Sequence, residues 1–301
     1  MDEFLTEESV LLERKNKPRW FLIIGSALLL ASSYLLLYIL YDLATAVTAA
    51  HFDLKPILFF DTIAFDNNDK WYPRCVKITF TIGAFVMITT GIGFYFLYLT
   101  LKKTSLALRL TFIWLSLVSF VILAQRLIAI LFANNFQFRD LDSKGMELAI
   151  FTAYDYWEKA GEAGLAVAGI VVCLVTSVMF SKPFLQTASS IYQIDTPAYR
   201  KKFVIYYIAA PALIGAGFIT LFTFPKNLVP NFLFFGCLAI SIASIGLVSM
   251  KSSLLIRRQI ELRSYWPLAA AAIFLIIVIF ARTILSQGVP IPDTGIGHLL
   301  F

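Results

Sequence analysis

The chain has 301 residues, of which 59% are hydrophobic and 15% are charged, and its mean hydropathy is +0.79. Soluble domains carry about 45–50% apolar and about 25% charged residues, so this composition excludes a chain surrounded only by water. The net charge of +6 would suit a nucleic-acid partner, but its distribution along the chain, given below, follows the rule for membrane orientation, so no nucleic-acid partner is expected.

Seven apolar stretches are long enough to cross roughly 30 Å of hydrocarbon, which takes about 20 residues of helix. Backbone groups in lipid must be hydrogen-bonded within the protein, so each stretch is predicted to be a helix. The fold class is therefore all-α, a polytopic transmembrane helix bundle of about seven spans. The predicted spans are residues 20–41, 78–101, 110–133, 163–180, 203–224, 232–250 and 266–285.

Lysine and arginine predict the orientation of the bundle. With the N-terminus inside, 15 of the 25 basic residues fall in inner segments and 8 in outer segments, while 12 of the 19 acids fall outside. Cytoplasmic loops carry an excess of basic residues, so the chain is predicted to be N-in and C-out. Residues 1–19 are then a cytoplasmic tail, residues 20–285 the transmembrane domain, and residues 286–301 an outer tail. The first span is too long for a cleavable signal and is predicted to stay.

Two long outer segments, residues 42–77 and 134–162, are rich in aromatic residues. In the first, the apolar stretch 54–65 has only 12 residues, which favours an interfacial or re-entrant piece over a span. In the second, Met146, Ile150, Tyr154 and Trp157 recur at helical spacing, which predicts an amphipathic helix leading into the fourth span.

A polar pair, Gln125 and Arg126, lies inside the third span, nearer its outer end. A charge at that depth costs about 2.5–3.5 kcal/mol on insertion scales, so Arg126 is expected either to pair with an outer acid or bind an anion, or to reach the outer headgroups. Arg282 lies closer to its helix end, which favours the headgroups. The candidate acids lie before the fourth span: Asp155, Glu158 and Glu162.

The sequence contains no motif for catalysis, metal binding or cofactor binding. The three cysteines form no C-x-x-C pair, neither histidine lies in a span, and nucleophile, Walker and dinucleotide-glycine motifs are lacking. No acid falls inside a predicted span, because Asp42 is assigned to the first outer segment. Ion-coupled transporters usually carry such acids, so a proton-driven transporter is disfavoured. We expect a non-enzyme without a cofactor or metal.

The end of the first span reads Leu-Tyr-Asp-Leu-Ala-Thr-Ala-Val over residues 40–47. This window resembles in outline the H-E-L-G-H-A-I helix of site-2-type intramembrane metalloproteases, over about eight residues. That motif supplies two zinc-binding histidines and a glutamate base. The corresponding positions here are Tyr41, Asp42 and Thr45, so the resemblance implies a degenerate, non-catalytic relative.

Small residues recur at helix-packing spacing and are expected to let helices of this bundle approach closely. The runs are Gly164-x3-Ala168, Gly169-x3-Cys173-x3-Ser177 and Ala239-x3-Ala243.

The sequence as a whole favours an accessory or structural subunit of a membrane assembly. The expected location is the plasma or bacterial inner membrane, and the expected partners are the lipid bilayer and a membrane protein. The alternative is a transporter or a lipid or small-molecule carrier with an outer-facing cavity near Gln125 and Arg126.

Overall fold

The computed structural model describes residues 20–60, 62–66, 72–100, 105–135, 159–188, 193–223, 228–251 and 266–292. Within these ranges seven helices are long and apolar enough to cross a membrane, which confirms the all-α, seven-helix prediction. The N-in, C-out orientation stays a prediction. The helices are α1 Trp20–His51, α2 Pro73–Thr100, α3 Leu106–Asn135, α4 Lys159–Leu185, α5 Pro197–Thr223, α6 Leu228–Lys251 and α7 Trp266–Thr283.

Helix α1 lies at the centre of the bundle and packs against α2, α3, α5 and α7. Its buried residues run around its whole circumference, as expected for a helix that is apolar on every side. Helix α3 packs against α1, α2 and α4, and α4 packs in turn against α6. The indole Nε1 of Trp114 on α3 donates to Ser26 Oγ on α1 at 2.8 Å, which joins these two helices two to three turns from their starts.

Helix α1 continues ten residues beyond its predicted end and stops at His51. The added turns contain alanines and two buried threonines, and the hydroxyls of Thr45 and Thr48 donate to carbonyls four residues earlier. Asp42, which was assigned to an outer loop, is therefore part of the helix. At 1.5 Å per residue, its 32 residues span about 48 Å, more than the hydrocarbon thickness, so α1 tilts or projects from the membrane.

A small β-sheet follows α1 where an interfacial or re-entrant piece was expected. Strands β1 (Pro56–Leu58) and β2 (Ile63–Phe65) form an antiparallel hairpin, and β3 (Val289–Pro290), beyond α7, pairs antiparallel with β1. Gly288 precedes β3 with φ +78°, and a Cβ there would lie 2.7 Å from the ring of Phe59. The position therefore requires glycine, because another residue would be both strained and crowded.

Helix α5 contains a π turn. Thr196 caps its start by accepting from the backbone N–H of Tyr199, and Pro197 occupies the first turn, where no N–H is needed. The π turn covers Ile205–Ala209, and the N–H of Ala210 donates five residues back to Ile205. The π turn ends just before Pro211, which has no N–H and would interrupt the hydrogen bonds of an α-helix. The π turn therefore accommodates this proline within α5.

Several predicted segments lie outside the described residues. These are the tail 1–19, most of the outer segment 134–162 with its expected amphipathic helix, and residues 293–301. The described ends of the chain lie at opposite ends of the bundle, since α1 begins at one end while β3 joins the sheet at the other. This placement follows from an odd number of helices.

Candidate functional site

Arg126 on α3 is buried, with 1% of its surface exposed, and it forms an ion pair with Asp42 on α1. The distance from Arg126 Nη2 to Asp42 Oδ1 is 3.6 Å. The guanidinium carbon lies 4.3 Å from the ring centroid of Tyr41 and 5.7 Å from that of Tyr38. The positive charge is thus held by a carboxylate and by the faces of two aromatic rings, both of which attract a cation.

The spacing of polar residues on α1 builds this site. Tyr34, Tyr38 and Asp42 are four residues apart, so they share one face of the helix, and Arg126 lies against it. Tyr41 is held from the other side by α2, where Gly83 leaves room for its ring. A Cβ at Gly83 would lie 2.5 Å from Tyr41 Cζ, so the close contact depends on glycine.

A chain of hydrogen bonds continues the same face of α1 towards α6 and α5. The hydroxyl of Tyr34 donates to Asn231 Oδ1 at 3.1 Å, and Asn231 Nδ2 donates to Thr223 Oγ1 at 2.6 Å. Thr223 in turn donates to the carbonyl of Ile219 within α5. These residues are buried, so the bonds satisfy groups that would otherwise be costly in an apolar bundle.

Asp42 is the partner of Arg126 in the structure, although it was not among the acids expected from the sequence. The statement that no acid lies inside a helix core was wrong, because Asp42 is 2% exposed within α1. Of the expected acids, Asp155 and Glu158 lie outside the described residues, and the side chain of Glu162 is likewise not described. The burial of Arg126 also excludes the alternative that it reaches the headgroups.

The other two predicted polar residues lie in different surroundings. Gln125 is buried beside Arg126 on α3. Arg282 lies away from the ion pair, at the end of α7, where its guanidinium donates to the carbonyl of Phe222 near the end of α5. Its Cζ lies 5.0 and 5.1 Å from the rings of Phe60 and Phe222. Arg282 therefore caps a neighbouring helix, and because its side chain is also exposed, its contact with headgroups stays a prediction.

A small cavity lies beside Tyr38, one of the two rings that cover Arg126. Its volume is about 10 Å³, and it lies between α1, α5, α7 and the hairpin. By the usual measure that volume holds about one water. Its walls include Tyr34, Tyr38, Phe60 and Thr223. The arrangement can bridge helices and hold a charge out of lipid, and within the described residues its volume is too small for an organic ligand.

The three positions that resemble a metalloprotease motif have packing roles here. Tyr41 stacks on Arg126, Asp42 pairs with it, and Thr45 donates to the carbonyl of Tyr41. Within the described residues, no group of three or more His, Cys, Asp or Glu side chains could hold a metal ion. The fixed guanidinium supplies the positive charge that compensates Asp42.

Fold and site together define a class: a polytopic α-helical membrane protein whose central helix is joined to its neighbours by a buried ion pair and a polar chain. Comparison with known proteins adds no narrower assignment. No family model, no curated protein and no solved structure matches this chain.

Proposed function

We propose that the protein is a non-enzymatic, multi-pass membrane protein that acts as an accessory or structural subunit of a membrane protein assembly. The observation that carries this proposal is an exposed face of small residues on α6. The buried ion pair supports it because it joins α1 to α3 inside the bundle and acts as a packing contact.

Three small residues of α6 lie on the outside of the bundle. Ala239 and Ala243 were expected to pack inside it, but both are exposed, as is Gly236 one turn earlier, where a Cβ would meet nothing within 4 Å. Phe232 and Leu247, which are 75% and 72% exposed, flank this face at its two ends. The result is a shallow notch between two bulky side chains.

The runs of small residues on α4 make a useful contrast. In the run from Gly169 to Ser177, a Cβ at Gly169 would lie 2.9 Å from the carbonyl of Ala124 on α3, and Ser177 donates to the carbonyl of Ser241 on α6. That run packs within the bundle, as predicted. The run Gly164-x3-Ala168 is exposed, contrary to expectation.

A transmembrane helix of another protein fits the α6 notch better than lipid does. Helices in lipid associate mainly through close packing at small residues, since burial of apolar surface gives no advantage there. Helix α7 shows what a lipid-facing surface looks like in this chain, because its exposed residues are bulky and aliphatic. They include Leu268, Leu275, Ile276 and Ile279.

The carrier alternative has less support from the site. A ligand at Arg126 would have to displace Asp42 or the ring of Tyr41, and the adjoining cavity has about 10 Å³. The ion pair acts instead between α1 and α3, as a fixed contact of the bundle.

Site-specific photocrosslinking in membranes of the native host tests the subunit proposal. A photoreactive phenylalanine replaces Ile240 in the α6 notch, and the matched control replaces Ile276 on the aliphatic face of α7. We expect a discrete adduct with one membrane protein from α6 and none from α7. A ladder of weak adducts from both positions, or an adduct of twice the mass of the chain, would contradict an accessory subunit.

We also propose the N-in, C-out orientation, in a plasma or bacterial inner membrane. Support comes from the basic excess in every predicted inner segment. The test labels Val10→Cys and Gly295→Cys from each side of sealed vesicles. The native Cys75, Cys173 and Cys237 are all buried, so their background is low. Labelling of position 10 from the outside would overturn the orientation.

A further inference from the structure

A cleft lies at the end of the bundle opposite Arg126, where α1, α3, α5 and α7 begin. Its volume is about 40 Å³, room for about three water-sized groups. It lies beside the first turns of α5. The lining residues are Gln193, Tyr199, Lys202, Phe203, Tyr206 and Tyr207.

The donors around this cleft suit an anion. Lys202 supplies an ammonium group that lies 5.9 Å from the ring centroid of Tyr199. Three tyrosines supply hydroxyls, and Tyr199 and Tyr206 are each 38% exposed. Tyr206 and Tyr207 are consecutive but both line the cleft, and both belong to the π turn. Tyrosine and lysine together are typical of the interface between hydrocarbon and headgroups.

A second cavity of about 30 Å³ adjoins the first and shares Gln193, Phe203 and Tyr207 with it. Its far wall includes Trp266, the first residue of α7, which is 9% exposed. The indole Nε1 of Trp266 is buried and has no hydrogen-bond partner among the residues that the structure describes. A buried donor of this kind usually has a partner, and a ligand entering from the cleft would supply an acceptor.

The surroundings of the cleft carry an excess of positive charge. At this end of the bundle, the described residues include one acidic residue, Asp195, and several basic residues. Neighbouring Arg200 is used within the fold, since it donates to the carbonyls of Ile194 and Ser249. The described cations at this end are Arg109, Lys182, Arg200, Lys201, Lys202 and Lys251.

The exposed side of α5 continues from the cleft as an apolar stripe. Leu213 and Leu221 are each 77% exposed, and a Cβ at Gly217 between them would meet nothing within 4 Å. The stripe begins two turns beyond Tyr206. A polar cleft followed by an apolar stripe on one membrane helix has the arrangement of a phospholipid, with its phosphate at one end and its acyl chain along the other.

We propose that this cleft binds the phosphate-bearing headgroup of an anionic phospholipid, with the acyl chain lying along α5. The lipid phosphate contacts Lys202 and the tyrosine hydroxyls. The membrane is favoured over free phosphate as the source because the cleft continues into an apolar helix face, where the acyl chain of a phospholipid can lie. Basic residues at the end of a membrane helix attract anionic headgroups in this way.

The test uses the full chain in nanodiscs of phosphatidylcholine with one-fifth phosphatidylglycerol, and native mass spectrometry counts the retained phosphatidylglycerol. Lys202→Gln should lower its retention about fivefold, as expected for one basic group near an anionic surface. The control is Lys201→Gln, which removes the same charge from the neighbouring residue outside the cleft lining. It should leave retention within about twofold of the wild type.

Two further measurements test which groups and which ligand are involved. Tyr206→Phe keeps the ring and removes one hydroxyl, and it should also lower retention. Inorganic phosphate at millimolar concentration should leave the lipid bound. Equal losses for Lys201→Gln and Lys202→Gln would show diffuse attraction and overturn the proposal. Displacement by inorganic phosphate would show a soluble anion as the ligand and overturn the lipid assignment.

Discussion

The two ends of the bundle treat positive charge in opposite ways. At the end that holds Arg126, the charge is buried, paired with Asp42 and covered by Tyr41. At the end that holds Lys202, the charge is exposed beside tyrosines in an open cleft. A positive side chain thus holds helices together at one end, while at the other end it is available to a ligand. The difference comes from the partner: a carboxylate one helix away in the first case, and hydroxyls around a space in the second.

The largest effect is expected from separating Arg126 and Asp42. Arg126→Leu leaves a buried carboxylate without compensation, which costs about 3–5 kcal/mol. Asp42→Asn should be destabilising for the converse reason. The double variant should be more stable than the sum of the single losses predicts, because neither charge is then left alone. Detergent-induced unfolding of both singles and the double measures this coupling. Strictly additive losses would show that the pair does not act as a unit.

The next effect concerns the glycine that admits Tyr41. Gly83→Ala places a methyl group 2.5 Å from the ring and should cost about 1–3 kcal/mol by overpacking. Gly93→Ala, in the same helix, meets nothing within 4 Å. It should be neutral or stabilising by up to about 1 kcal/mol, since alanine favours helix. Thermal unfolding in one detergent compares the two, and equal melting temperatures would contradict the close packing at Gly83.

A smaller effect is expected at the polar chain. Tyr34→Phe removes the bond to Asn231 while keeping the ring, and it should cost about 0.5–1.5 kcal/mol. Tyr199→Phe at the opposite end removes an exposed hydroxyl and serves as the matched control. Its unfolding free energy should change by less than about 0.5 kcal/mol. A larger loss for Tyr199→Phe than for Tyr34→Phe would reverse the comparison between the ends.

The smallest effect should come from Lys202. In neutral detergent without anionic lipid, Lys202→Gln should change the free energy of unfolding by less than about 0.5 kcal/mol, because the side chain is exposed. Unfolding in the same detergent as the Arg126 variants measures it. A loss comparable with that of Arg126→Leu would mean that Lys202 holds the bundle together, and the two ends would no longer differ in kind.

Much of the fold could be predicted because hydrocarbon restricts the choice to helices of a known length. The ends of the helices were harder to predict. The first span was predicted to end at Tyr41, with Asp42 in the outer segment. A charge is costly in lipid, yet a partner on another helix reduces that cost. The spacing of Tyr34, Tyr38 and Asp42 on one helical face was the available signal.

The hairpin and the α6 notch were missed for another reason. Strand β1 pairs with β3 more than 200 residues away, and a three-residue strand has no periodicity of its own. Ala239 and Ala243 show only that two small residues share a face. Whether that face turns inward depends on the neighbours of α6, which a single sequence does not reveal.

The central position of α1 has a consequence for the order of synthesis. Helix α1 is synthesised before α5, α7 and strand β3, which cover it. Until α3 is inserted, Asp42 has no Arg126 beside it, and its charge must remain hydrated or neutral. The bundle therefore cannot be completed from the N-terminus outward. The sheet beside α1 is complete only after α7 has been made, when β3 pairs with β1.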